Sequence, residues 1–170
     1  MGEFRIGRRY AQHVYPDTPQ RAPAAFARNY AQTVTPSTLG SGANNVSWTS
    51  IEGGGVIPPS IHVPITPNVT GRVRIIATVT LVNSTIAPID VIEQIQINGA
   101  APPASAPAAA ETVDAATGEG SGLATMTLLL DISLPVGPTT QIEIQLTAGT
   151  AGLELSAASI ELQEVPLATG

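Results

Sequence analysis

From residue 46 onward, apolar and polar residues alternate with a period close to two, the spacing of a strand that buries one face. A first strand is expected over residues 46–51, closed by Gly53-Gly54-Gly55, and a second over 60–65, where Pro64 indicates an edge or a bulge. Residues 72–82 form a longer one, with Val73, Ile75, Ala77, Val79 and Leu81 on one face and Arg72, Arg74, Thr78 and Thr80 on the other. Ile89, Val91, Ile95 and Ile97 give the inward set of a strand over 89–97, which Asn98-Gly99 closes as a turn. Strong alternation returns over 123–134 and 141–146, and strands near 153–155 and 159–165 end the chain. About eight short strands separated by turn signals, with no crossover helix between them, predict an antiparallel sandwich or barrel.

The first 44 residues read differently. Pro16, Pro19, Pro23 and Pro36 favour extended backbone, and residues 39–45 have the composition of a flexible linker. Within this leader Arg8-Arg9-Tyr10-Ala11-Gln12-His13-Val14-Tyr15-Pro16-Asp17-Thr18 returns as Arg28-Asn29-Tyr30-Ala31-Gln32-Thr33-Val34-Thr35-Pro36-Ser37-Thr38, with seven of eleven positions identical. A short peptide given twice, ahead of the apparent core, suggests two related contacts on a partner. The expected organisation is an extended basic arm over 1–44 and a β domain over 45–170. Residues 100–122, rich in Ala, Pro, Gly and Thr, read as a long surface loop. Ile76, Val82, Ile92 and Leu129 fall on nominally outer faces, so loops or neighbouring subunits are expected to cover them.

Composition adds limits. Five of the seven arginines lie in the leader and lysine is absent, whereas residues 75–170 carry ten acids and no arginine. An acidic body of this kind repels nucleic acid, and the leader has no dense basic run, so no direct nucleic-acid partner is expected. With no cysteine there is no disulfide framework or thiolate chemistry. The first twenty residues show no apolar signal core, and no apolar run reaches the eighteen residues that cross a bilayer. No membrane partner is expected, and the chain is expected to be soluble and released in the cytoplasm of the cell that makes it.

Candidate chemistry is sparse. The histidines are His13 and His62, and no Gly-x-Ser-x-Gly elbow accompanies them. Asp90 and Glu93 lie an odd number of residues apart and so point to opposite faces of one strand, unlike a glycosidase pair. Glu111, Asp114 and Glu119 lack calcium-loop spacing, and Gly53-Gly54-Gly55 lacks the Lys-Ser/Thr of a phosphate loop. Trp48 is expected as a core anchor. No catalytic residue, metal site or cofactor is expected.

The run Val69-Thr-Gly-Arg-Val-Arg-Ile-Ile-Ala-Thr-Val-Thr-Leu, then Ile95-Gln-Ile-Asn-Gly, Gln141-Ile-Glu-Ile-Gln-Leu-Thr-Ala-Gly and Ala158-Ser-Ile-Glu-Leu-Gln-Glu-Val, resembles a compact jelly roll of viral or C1q/TNF type over residues 46–167. The basic repeated leader most resembles the decoration, or cement, proteins of tailed-bacteriophage heads. That resemblance implies a homotrimeric jelly roll on the outer surface of a virion head, made in the host cytoplasm. Its arms would bind the major capsid protein and stabilise capsomer contacts. In that role Arg8 and Arg28 would pair with acids on the shell. Tyr10, Val14, Tyr30 and Val34 would fill apolar pockets, and Gln12 and Gln32 would share in the contact. The alternative is a surface or fibre-tip module that recognises glycan or protein through the loop at 100–122.

Overall fold

The structure is a computed structural model and describes residues 25–52, 60–101, 106–117 and 121–167. Eleven strands and no helix are present among them: β1 Arg28–Thr33, β2 Ser37–Thr38, β3 Gly42–Asn45, β4 Ser50–Glu52, β5 Val63–Ile65, β6 Arg72–Asn83, β7 Ile89–Ile97, β8 Ala108–Val113, β9 Gly122–Ser133, β10 Thr140–Ala148 and β11 Leu153–Glu164. They form two antiparallel sheets. The first has the order β4-β1-β11-β6-β9, with β2 also on β11; the second runs β3-β10-β7-β8, with β5 also on β10.

The pairing is nested. The strand β1 pairs with β11, β5 with β10, β6 with β9 and β7 with β8, always antiparallel. Such a set is one long hairpin ribbon folded over at β7–β8. Winding the ribbon brings β6 against β11 and β7 against β10, which completes both sheets. This winding defines a jelly-roll sandwich.

Alternation places the core between the sheets. Val73, Ile75, Ala77, Val79 and Leu81 of β6, together with Leu153, Leu155, Ile160 and Leu162 of the adjacent β11, are buried and form the core with Ile142, Ile144 and Leu146 of β10 in the other sheet. Trp48 is fully buried as well, as its anchoring role requires. The Asn98-Gly99 turn forms with both residues at positive φ, 52° and 71°, and a bridge from Ile97 to Ala100 closes it.

Several expectations are corrected. The second copy of the repeat is not part of a free arm: residues 28–33 are a strand between β4 and β11, with Ala31 fully buried, so the sheets begin at Arg28 and not at 45. The first copy, with Arg8, Tyr10, Gln12 and Val14, lies outside the described residues. Residues 46–51 are not one strand; β3 belongs to the second sheet and β4 to the first, and the chain crosses between them. Residues 108–113, inside the expected loop, pair with β7 as an edge strand. The two last strands are one, β11, with a bulge at Ser156 where the register to β6 shifts.

One carboxylate ties the two chain ends of the first sheet together. Glu164, at the end of β11, accepts the backbone N–H groups of Ala27 (3.0 Å) and Asn68 (2.9 Å) on one oxygen, and those of Val69 (2.8 Å), Thr70 (2.6 Å) and Gly71 (2.9 Å) on the other. Its own N–H donates to the Ala27 carbonyl at 2.8 Å, and the Val165 N–H donates to Arg72. Gly71 is required here: its φ is +68°, and a Cβ would run into the Leu134 carbonyl. Burial pushes the Glu164 carboxyl up, but the N–H donors of Ala27, Asn68, Gly71 and Val69 outweigh it and hold it down at about 2.

Because the folded value lies below the ordinary 4.5, this group adds stability above about pH 4.5 and loses it as pH falls toward 2. Glu164→Gln is expected to cost about 3 kcal/mol at pH 7, the free energy of a shift of that size, and to flatten the acid limb of the unfolding curve below pH 4.5. Urea denaturation of the two proteins between pH 3 and pH 7 measures both effects.

Candidate interaction face

The outer face of the first sheet is built by the residues that alternate with its core. On β1 these are Arg28, Tyr30 and Gln32, while Asn29, Ala31 and Thr33 turn inward and are buried. Asn29 earns its inward place by hydrogen bonding: its Nδ2 donates to the Pro64 carbonyl of β5 at 2.6 Å, joining the two sheets. The antiparallel register then fixes rows across the outer face. Tyr30 lies beside Glu52 and Glu161, and Glu161 beside Ile76, which pairs with Leu129. The next row is Ser50, Gln32, Ser159, Thr78 and Thr127; beyond it come Ala157, Thr80 and Thr125.

Most of the charge on this face lies at one end. Arg28 meets Glu161 at 3.2 Å, and Asp131 is held by Arg74 at 2.8 Å and by Arg72 at 3.3 Å. The hydrogen bond and charge of Arg74 keep the Asp131 carboxyl below its usual range, and Asp131 in turn raises Arg74. These pairs are exposed and contribute little to stability. Between these pairs and Glu154, which lies exposed beside Val82 at the far end, the rows are neutral. Thr78 and Thr127 share a hydrogen bond at 3.2 Å, as do Thr80 and Thr125 at 3.3 Å. Leu123 and Leu129 stand 69% and 61% exposed and Val34 71%, so the face is uncovered.

Two recesses follow β1 along it. One of about 480 Å³ is lined by Arg28, Tyr30, Glu52 and Glu161, with Asn29 at its base. The other, about 200 Å³, is lined by Gln32, Val34, Thr78, Thr80, Ala157 and Ser159, with Thr33 and Ala158 beneath. Tyr30 Oη donates to Gln32 Oε1 at 3.0 Å, so the two side chains span the gap between the recesses. The structure therefore brings Arg28, Tyr30, Gln32 and Val34 onto one surface, though on a strand and not on a free arm. Of the aliphatic residues singled out above, Ile76, Val82 and Leu129 share this face; Ile92 lies on the second sheet, beside Thr147 and Ala110.

The two copies of the repeat now compare in a new way. All three outward residues of β1, Arg28, Tyr30 and Gln32, are identical to Arg8, Tyr10 and Gln12. Of the three inward residues only Ala31 matches; Asn29 and Thr33 stand where the first copy has Arg9 and His13. Arg9 in the Asn29 slot would bury an unpaired charge. Over β1, the repeat thus keeps the outward residues more fully than the inward ones.

Elsewhere, His62 Nδ1 lies 2.9 Å from Glu143 Oε1 on the outer side of the second sheet, and Asn45 Nδ2 donates to the other oxygen of Glu143 at 3.2 Å. Among the described residues no group of three or more His, Cys, Asp or Glu could hold a metal ion. Sequence reasoning missed Glu93, which the alternation of 89, 91, 95 and 97 already pointed inward and which is fully buried.

No protein-family model and no curated protein matches the sequence. A solved structure described as Eiger TNF from S. frugiperda is similar over 85% of this chain and 96% of that one, at 13% identity and a TM-score of 0.46. The nested strand order, not this likeness, defines the fold.

The assignment of faces has a direct check. Ala31→Leu is expected to destabilise the protein by about 1–3 kcal/mol, because Ala31 is fully buried and a larger side chain must displace its core neighbours. Tyr30→Ala, one residue away, is expected to stay within about 1 kcal/mol of the wild type, since its ring lies on the outer face. Thermal melts of the two variants separate the cases.

Proposed function

We propose that this chain is a structural, non-catalytic virion protein that decorates a bacteriophage head. Its jelly roll self-associates as a trimer over the neutral threonine rows of β6 and β9, and the Arg-x-Tyr-x-Gln surfaces attach it to the capsid shell. The observation that carries this reading is that, over β1, the two copies share all three outward residues, Arg, Tyr and Gln, but only one of the three inward ones, Ala. A strand kept for packing would keep its inward residues, whereas a strand kept for contact keeps its outward ones.

The Thr, Ser, Ala and Leu rows next to that set suit a second protein surface. They are uncharged, and their threonines are already partly satisfied by one another. With two contact surfaces per chain and three chains per assembly, avidity dominates over any single contact, by 10²–10⁴-fold as an order of magnitude. Recognition through the stretch at 100–122 has less support, because residues 108–113 already spend backbone hydrogen bonds on β7.

Full-length protein carrying Tyr10→Ala and Gln12→Ala is expected to fold as the wild type does and to lose attachment to undecorated heads. Tyr30→Ala with Gln32→Ala is expected to weaken attachment as well. Copy number per purified particle reads out both. Unchanged copy number in both double variants would contradict the proposal.

A further inference from the structure

Glu93 is unlike every other acid described. It lies near the middle of β7, on the face that carries Val91 and Ile95, and is fully buried between the sheets. Neither carboxylate oxygen has a hydrogen-bond partner among the described residues. Its cross-strand neighbours are Leu146 on β10 and Ala109 on β8.

No cation described reaches it. Arg28, Arg72 and Arg74 are engaged on the outer face of the first sheet with Glu161 and Asp131, and His62 lies on the outer side of the second sheet with Glu143. The other titratable groups on the packed elements are acids. Asp90, on β7 itself, faces outward and accepts from Thr112. On β8, Glu111 pairs with Val91, and so shares the inward side one step along from Ala109, though its own side chain is exposed. On β10, Glu143 alternates with the buried Ile142 and Ile144 and points outward. On β9, Asp131 points to the outer face of the first sheet. Ionising Glu93 would place an uncompensated negative charge in an aliphatic core.

The edge strand beside Glu93 buries little side-chain surface. β8 is six residues long, forms the edge of the second sheet, and consists of Ala108, Ala109, Ala110, Glu111, Thr112 and Val113. Only Val113 is fully buried. Its firm attachment is at that end, where Asn83 Nδ2 donates to the Val113 carbonyl at 3.1 Å. The Ala109 end has no comparable anchor among the described residues.

We propose that Glu93 makes closure of the β7–β8 edge dependent on a proton: the neutral carboxyl stays in the core beside Ala109 of β8, and ionisation opens that edge by freeing the Ala108–Ala110 end of the strand. Opening hydrates the carboxylate and leaves the Asn83–Val113 end as the hinge. It also bares the hydrogen-bonding edge of β7, a surface that accepts a strand from another chain.

The direction of the titration agrees with the geometry. Burial pushes the Glu93 carboxyl up from 4.5 to about 7. A folded value raised above the open one means that the closed form loses stability as pH rises from about 4.5 to 7, and loses no more above it. Glu93 therefore opposes Glu164, whose contribution grows with pH below 4.5.

The chain has no cysteine, so a single Ala109→Cys reports on β8 alone. Its labelling rate, normalised to the same thiol in unfolded protein at each pH, is expected to rise ~10–100-fold between pH 5 and pH 8. In Ala109→Cys with Glu93→Gln, which keeps the shape of the neutral acid, that rise is expected to vanish. Glu93→Met removes the titrating group by an apolar route and is expected to give the same flat profile if the glutamine variant does not fold. A carbon-detected titration of the Glu93 carboxyl in the wild type needs no substitution. A midpoint near 7 supports the proposal; a midpoint near 4.5, or labelling that rises equally with and without Glu93, overturns it. The outcome is independent of whether the protein decorates a capsid.

Discussion

The fold depends on the carboxylate of Glu164. A jelly roll is a folded ribbon whose outermost pair joins the earliest strand to the last, here β1 to β11. That pair has the greatest sequence separation, and closing it carries the largest entropic penalty of any pairing in the sandwich. Glu164 gathers the residue before β1, the turn before β6 and the end of β11 at one point, through five backbone N–H groups. No uncharged side chain could accept so many donors at once. Holding β1 in register is also what presents Arg28, Tyr30 and Gln32 outward, so the clasp reaches the candidate face without touching it.

The same chemical group serves an opposite purpose 71 positions earlier in the chain, at Glu93. Both glutamates are buried; the difference lies in what surrounds them. Glu164 is wrapped in backbone donors and favours its charge, whereas Glu93 meets Leu146 and Ala109 and favours its proton. Stability therefore rises with pH through one group and falls through the other, and the balance lies on the acid side of neutrality.

The long strands were legible because their inward residues are large and aliphatic. β6 and β7 fall where alternation put them, and the Asn98-Gly99 turn forms as its composition demanded. Strand β1 was illegible because its inward residues are Asn29, Ala31 and Thr33, small or polar rather than large and aliphatic, and Asn29 fits only because it bonds to Pro64. β8 failed the same way, with Ala109 and Glu111 where large aliphatics would signal a strand. The second copy reads as an arm because both copies look alike in sequence, yet only it has Asn29 and Thr33 at the inward positions of β1, where the first copy has Arg9 and His13. Glu93 was visible in the parity of its strand, and was passed over because a lone acid interrupts an apolar set. The neutral threonine rows needed the register of three strands, which no single segment contains.

The central claim is that the threonine rows on the outer face of the first sheet, with Thr78, Thr80, Thr127 and Leu129, are an interface between copies. Light scattering of the full chain and of Thr78→Arg, at matched concentrations with circular dichroism to verify folding, tests it most directly. The account predicts that the wild type has three times the 17.4 kDa chain mass and that Thr78→Arg, folded, has that of a single chain. A wild type that stays at the single-chain mass, or a folded Thr78→Arg that keeps the wild-type mass, would contradict it.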